Sequence, residues 1–232
     1  MNSTHYFVCL FLLSICSFIV SCETDEKEFD INHADNAASD SLTDNEGSND
    51  SIVGKNILQN GNVEEWELDF CEYPSHWLLP SGYCNKVTRN WDIVLAGQYS
   101  AKMKALEKGT TARISQLVKL SPGSKIKIRF NYYVEQWKTN GARTYCYFRT
   151  GHQESSSISI AELRSFYSND EYYVIRGGGL GIKYLPHKLM SWQVFDEVIS
   201  VPPNATYFEF GINSYYGTVI YVDNCYVIEI VK

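Results

Sequence analysis

Histidine is scarce in this 232-residue chain, at five residues, and neither a Cys-x-x-Cys pair nor a His-Glu-x-x-His run occurs. Neither a zinc ribbon, a thioredoxin-like centre nor a zincin is therefore supported. The chain also lacks a Gly-x-Ser-x-Gly nucleophile elbow. Gly177-Gly178-Gly179 is followed by no Gly-Lys-Ser/Thr, so it reads as a bend or bulge and not as a phosphate loop. A basic stripe is missing as well. From residue 55 onward nineteen basic residues face seventeen acidic ones without any block of Lys or Arg, so nucleic acid is not an expected partner. His76, His152 and His187 fall at no ligand spacing. Glu135, Asp170, Glu171 and Glu209 are carboxylates of the kind a glycosidase uses, but nothing in the sequence pairs two of them at the required separation. The chain is read as non-catalytic.

What is present begins with an apolar run from Tyr6 to Val20, fifteen residues long. That is short for a helix crossing a roughly 30 Å hydrocarbon core. It suits the h-region of an export signal better. The run ends in Ile19-Val20-Ser21-Cys22, which resembles a bacterial lipobox, although only His5 could carry charge in the n-region. The resemblance implies a signal peptide over 1–21, a lipidated Cys22 and a membrane contact made through acyl chains alone. Between Glu23 and Gly54 ten Asp or Glu accompany one Lys, with few aromatic or β-branched residues. Such a segment cannot bury enough apolar surface to offset its ordering entropy. Residues 22–54 are expected to form an acidic, disordered tether. Acids directly after the lipidated Cys resemble the export signal of surface lipoproteins in some Gram-negative bacteria, which implies the outer membrane and the cell surface.

Seven Cys occur in all. Beyond Cys9, Cys16 and Cys22 there remain Cys71, Cys84, Cys146 and Cys225. An exported chain permits disulfides. A bridge between Cys71 and Cys84 would staple the loop between them, whereas Cys146 and Cys225 sit in strand patterns and suit buried thiols equally well.

Residues 55–232 show no run of 3.6-residue periodicity; alternation dominates. "KIKIRFNYYVEQW" sets Ile126, Ile128, Phe130, Tyr132 and Val134 on one face. "ARTYCYFRT" sets Cys146 and Phe148 inward, and "TYFEFGI" does so with Phe208, Phe210 and Ile212. Ser121-Pro122-Gly123 and Pro202-Pro203-Asn204 are turns. The pattern predicts an all-β fold, an antiparallel β-sandwich of the jelly-roll kind. Around "KTNGA" a three-residue loop, Thr139-Asn140-Gly141, pairs Val134 with Cys146 and Tyr132 with Phe148, keeping both faces consistent. The expectation is a hairpin with a type I turn and Gly141 left-handed. Its outward face would carry Trp137 opposite Arg143, Glu135 opposite Tyr145, Tyr133 opposite Tyr147 and Asn131 opposite Arg149.

The order of "NILQNGNVEEW", "HWLLP", "AGQYSAKM", "MSWQVFDEVISVPPNATYFEFGI" and "GTVIYVDNCYV" resembles the galactose-binding-like jelly roll of carbohydrate-binding modules. The departure is Val63, where an aromatic is usual. The resemblance spans about Asn56 to Val227, and it implies a structural Ca²⁺ between the first and last strands, with Glu64 and Asp223 as the matching carboxylates. Hard oxygen ligands suit that ion, and two converging carboxylates call for a cation or for hydrogen-bond donors. Glu65 is read as solvated.

The resemblance implies a polysaccharide or other glycan as partner. Rings stack on the apolar C–H faces of sugars, while Arg, Asn and Glu bond their polar edges. The hairpin's outward face offers both kinds of group: Tyr133, Trp137, Tyr145 and Tyr147 as rings, with Asn131, Glu135, Arg143 and Arg149 as polar partners. Ordinary cross-strand stabilisation would use the same residues. Loops bearing Trp91 and Asp92, residues 167–187, and Tyr215 and Tyr216 are the other candidates. A structural or adhesive lipoprotein that binds protein is the second reading, and a glycan-processing enzyme the third.

Overall fold

A computed structural model describes residues 54–68, 72–79, 86–176 and 184–230. The signal segment, Cys22, the tether, Cys71, Cys84 and Gly177–Gly179 lie outside them. No helix among the described residues is long and apolar enough to cross a membrane.

The strands follow in the order β1 Trp66–Leu68, β2 Glu72–Pro74, β3 Val87–Asn90, β4 Ser100–Lys104, β5 Thr111–Lys119, β6 Lys125–Gln136 and β7 Ala142–Arg149. Two short helices, α1 Ile160–Phe166 and α2 Asn169–Arg176, precede β8 Trp192–Ser200, β9 Tyr207–Tyr215 and β10 Val219–Ile230. Three antiparallel sheets result: β3-β4-β10-β6-β8, β5-β9-β7, and the small pair β1-β2. The two larger sheets stack as a sandwich, and the fold is the expected all-β jelly roll.

Alternation does the sorting. Ile126, Phe130 and Val134 of β6, Phe148 of β7, and Phe208, Phe210 and Ile212 of β9 are wholly buried. Phe130 meets Phe210 across the core at 5.9 Å, and Phe148 packs on Phe208 at 4.9 Å. Burying each such side chain stabilises the fold by roughly 1.5–3 kcal/mol. Tyr132 enters the same layer because its hydroxyl donates to the Pro186 carbonyl at 2.5 Å; burial pushes its phenol up to about 12. Cys146 and Cys225 are both buried in the core. Ser121-Pro122-Gly123 turns as predicted, with Gly123 at φ +72°.

The β6–β7 hairpin does not form. The turn itself is there: Gly141 N–H donates to the Lys138 carbonyl at 2.7 Å, and Gly141 has φ +53°. The chain then crosses from one sheet to the other. Val134 pairs with Ile220 and Tyr132 with Val222 of β10, while Cys146 and Phe148 pair with Phe210 and Phe208 of β9. Alternation dictates which side chains face the core, and this it did correctly. It carries no information on whether two inward faces lie side by side or across the core. Helices α1 and α2 also fall where no helix was expected. Ser159 and Glu162 close a capping box that starts α1.

The opening stretch from Asn56 docks on the far end of the chain. Asn56 Nδ2 donates to the Cys225 carbonyl at 3.0 Å, and Val227 N–H donates to Asn56 Oδ1 at 3.0 Å. Cys225 N–H reaches the Gly61 carbonyl at 2.7 Å, where β10 carries a bulge between Asp223 and Tyr226. A Cβ at Gly61 would overlap the Cys225 carbonyl oxygen, which is why glycine stands there.

Candidate functional site

Breaking the hairpin divides the predicted site. Asn131, Tyr133 and Glu135 lie on the outer face of the five-stranded sheet, whereas Arg143, Tyr145, Tyr147 and Arg149 lie on the outer face of the three-stranded sheet. Trp137 stands in the connection between them, stacked on His187 at 4.1 Å and 8° with its ring over Gly141.

On the three-stranded sheet, register places outward residues in cross-strand rows. Arg113, Asn213 and Arg143 form one row, Ser115, Gly211 and Tyr145 the next, then Leu117, Glu209 and Tyr147, and finally Lys119, Tyr207 and Arg149. Gly211 in mid-strand makes room for a ring: a Cβ there would overlap Cε1 of Tyr145. Tyr145 therefore lies flat on the sheet, nearly buried, and Tyr147 meets it edge-on at 5.8 Å. Burial raises the Tyr145 phenol far above its usual value, while Ser115 and Arg113 pull the other way. Arg113 stacks over the Tyr145 ring at 4.3 Å and donates Nε–H to Asn213 Oδ1 at 2.9 Å. Arg143 stands over the Tyr215 ring at 5.3 Å, and Tyr184 meets Tyr215 edge-on at 6.3 Å. The carboxylate of this face, Glu209, is held by Arg149 in a close ion pair.

A cleft of about 730 Å³ runs along the edge of β5 where Leu78 bridges to Ser115, bordered by Lys55, Gln59, His76, Leu78 and Lys119. On the opposite side a cavity of about 320 Å³ opens between β7, α2 and β8, lined among others by Thr144, Tyr173, Tyr184 and Phe195.

The five-stranded face is organised differently. Lys102, Tyr221, Tyr133 and Trp192 form a row across β4, β10, β6 and β8. Tyr133 contacts Trp192 and Tyr221 edge-on at 5.8 and 5.9 Å. Lys102 Nζ donates to Tyr221 Oη at 2.6 Å and to Glu135 Oε2 at 3.0 Å, and Tyr221 Oη–H donates to the same carboxylate. Burial alone would lower Lys102, but these partners outweigh it and raise the ammonium. The Tyr221 hydrogen bond likewise lowers Glu135 against burial, with Lys102 assisting. Asn131 pairs with Asp223 and Val194 on the neighbouring strands.

Glu64 and Asp223 converge on one loop. Gln98 N–H donates to both oxygens of Glu64 at 3.0 and 3.1 Å, and Tyr99 N–H to Oε1 at 3.2 Å. Asp223 Oδ2 accepts from Leu95 and Ala96 at 3.0 and 3.2 Å, and its Oδ1 from Asn224 at 2.7 Å. Burial, with Glu64's charge adding to it, raises Asp223 from 3.8 to about 6 even against those three amides. A buried acid held that high, with a second carboxylate near it, is a place where a cation would relieve electrostatic cost, so the donor set fits a hard ion. The same oxygens already have amide partners, and among the described residues no three of His, Cys, Asp and Glu gather into a metal cluster.

Of the carboxylates considered for catalysis, Glu135 and Glu209 belong to opposite faces, and Asp170 and Glu171 begin α2 side by side. Sequence reasoning passed over Arg113, Asn213 and Gly211, and over Lys102, Tyr221 and Trp192. The outward alternation of β5 and the glycine inside the β9 pattern were the available signals for the first three.

No protein-family model matches the chain, and no curated protein matches it. Solved structures do. A family 16 carbohydrate-binding module is similar over 75% of this chain and 100% of its own, at 15% identity and a TM-score of 0.51. The enzymatically active domain of bacteriophage CBA120 tailspike protein 4 gives the same TM-score, 0.51, at 16% identity, over 75% of this chain and 21% of that one. A family 61 module in complex with β-1,4-galactotriose covers 75% of this chain and 99% of its own at 16% identity, with a TM-score of 0.42. The described domain therefore shares its β-sandwich fold with the family 16 module and with part of the tailspike domain.

Proposed function

We propose that this domain binds carbohydrate without turning it over, through the outer face of the three-stranded sheet. The observation that carries the reading is the cross-strand platform in which the part-exposed Arg113 and Arg143 stand beside the part-exposed rings of Tyr147 and Tyr215, over the buried Tyr145 and Asn213. Sugar rings present apolar C–H faces to aromatic rings and hydroxyls to amide and guanidinium groups. The fold shared with a carbohydrate-binding module supports the assignment by analogy. In the same proposal Cys22 carries the lipid and the acidic tether holds the domain off a bacterial outer membrane at the cell surface. Glu64 and Asp223 would hold a structural Ca²⁺ away from the sugar.

Native electrophoresis through gels containing soluble polysaccharides tests the reading. The chain should be retarded by at least one of them. Tyr147→Ala should weaken that retardation about tenfold, or ~1.4 kcal/mol, with melting unchanged. Release of reducing ends from a bound polysaccharide would overturn the non-catalytic part. Labelling with radioactive palmitate should be lost in Cys22→Ala; labelling that survives would remove the anchor.

A second reading, adhesion to protein, has one feature in its favour. Leu189, Met190, Val194 and Val198 are exposed along edge strand β8 and the turn before it. Retardation by no glycan, together with loss of a co-purifying protein in Val194→Asp, would favour it.

A further inference from the structure

The cavity of about 320 Å³ between β7, α2 and β8 is walled by rings. Tyr173, Tyr184 and Phe195 line it, and each is braced by a second ring. Phe195 stacks on Phe130 at 5.0 Å and 21°, Tyr173 meets Tyr172 edge-on at 6.1 Å, and Tyr184 meets Tyr215 edge-on at 6.3 Å. Thr144 Oγ1 donates to the Val174 carbonyl at 2.8 Å, which fastens α2 to β7. Walls set in this way need little ordering when a ligand enters.

The charge of this cavity is unbalanced. Asp196 and Glu197 border it, and among the described residues lining it there is no Lys, Arg or His. Asp196 is already met by Lys127 Nζ at 3.3 Å and Arg129 Nη1 at 3.5 Å. Glu197 stands on the other face of β8, opposite the buried Ile128 and between Phe195 and the buried Ile199. It is half-buried there, and among the described residues no Lys, Arg or His forms an ion pair with it. A carboxylate drawn away from water is costly until a cation or donors reach it. An inward acid on an edge strand such as β8 also discourages edge-to-edge association. That role needs the charge alone; it does not need three rings around a space of ligand size.

We propose that this cavity takes a small ligand carrying a protonated amine, with the ammonium on Glu197 and against the rings of Tyr173, Tyr184 and Phe195. The carboxylate attracts positive charge, and aromatic rings present their negative faces to a cation. A neutral hydroxyl would leave Glu197 unbalanced, and an anionic ligand would be repelled. The volume lies at the low end for small-molecule sites, so the ligand is compact. The inference goes beyond the carbohydrate reading and does not depend on the three-stranded face. An amino sugar of a glycan and a free organic amine share the required chemistry.

The test uses the full chain, with ligand-observed NMR and calorimetry as readouts. The probes are glucosamine and cyclohexylamine as amines, N-acetylglucosamine and cyclohexanol as their neutral counterparts, and cyclohexanecarboxylate as an anion. At least one amine should bind, and its neutral counterpart should bind about tenfold more weakly or worse. Glu197→Gln, which keeps the shape and loses the charge, should weaken the amine about tenfold with unchanged melting. Tyr173→Leu, which removes one ring face, should weaken it about threefold. Tyr147→Ala should leave amine binding unchanged while it weakens glycan retardation, so the two readings fail separately. Glucosamine bound more tightly than cyclohexylamine supports an amino sugar as the ligand, and the reverse order supports a free amine. Binding of neither amine would overturn the site. A neutral counterpart or the anion bound as tightly as its amine would overturn the ammonium assignment. Amine binding undiminished in both Glu197→Gln and Tyr173→Leu would place the amine elsewhere and overturn the inference.

Discussion

The two outer faces of this sandwich are built from neighbouring stretches of one chain, and they hold their charges in opposite ways. On the five-stranded face Lys102, Tyr221 and Glu135 satisfy one another, with Tyr221 buried and the Lys102 and Glu135 side chains about a third exposed. On the three-stranded face Arg113 and Arg143 are propped on rings. A closed network of mutual donors and acceptors offers an incoming ligand little, because each new bond must replace an old one. A guanidinium resting on a ring is held by a contact that uses its face and not its N–H groups. Composition alone does not distinguish the faces, since both combine Tyr with charged residues; partner choice does.

The largest effect is expected on the five-stranded side and should be purely structural. Asp223→Ala leaves the amides of Leu95, Ala96 and Asn224 without their acceptor. The cost should be about 3 kcal/mol, a fall in Tm of about 6–12 °C, with glycan affinity retained. Asp223 also gives a pH signature. Its folded value of about 6 stands above 3.8, so between these values the folded chain binds more protons than the unfolded one. Stability should therefore fall as pH rises from about 4 to about 6, and Asp223→Ala should lose this slope. If the proposed Ca²⁺ sits there, adding it should flatten the slope and chelation restore it. Superimposable melting curves with and without Ca²⁺ would remove the ion.

Next in size, Gly211→Ala should lift the Tyr145 ring off β9, costing about 2 kcal/mol and most of the glycan affinity together. Unchanged affinity in a folded Gly211→Ala protein would shift the site away from this face.

These residues also show what the sequence could convey. The inward faces of β6, β7 and β9 were legible because period-2 alternation is a local property. The neighbour of each strand was not, since the 138–141 turn has the same left-handed Gly141 whether the chain folds back or crosses over. That crossing is what separated Tyr133 and Glu135 from Arg143 and Tyr147. Helix α1 was readable in hindsight from Ser159-x-x-Glu162, but seven residues are too few for periodicity to announce. Arg113 and Asn213 entered the proposed site only once β5 and β7 were known to flank β9.

The smallest effect is also the sharpest comparison. Glu135→Gln removes the charge at the centre of the five-stranded network while keeping its shape and an acceptor oxygen. Glu135 and Lys102 are partly exposed, at 38% and 29%, so the pair is screened and the loss should be under about 1 kcal/mol. The Tyr221 hydrogen bond, aided by Lys102, holds Glu135 below its usual value. Its contribution is therefore present above the ordinary carboxylate range and is lost as pH falls through it, so wild type and Glu135→Gln should converge in Tm in acid. Glycan affinity should not change. If instead Glu135→Gln abolished binding while Tyr147→Ala did not, the closed network would be the binding surface, and the rule that mutual satisfaction marks the structural face would fail for this protein.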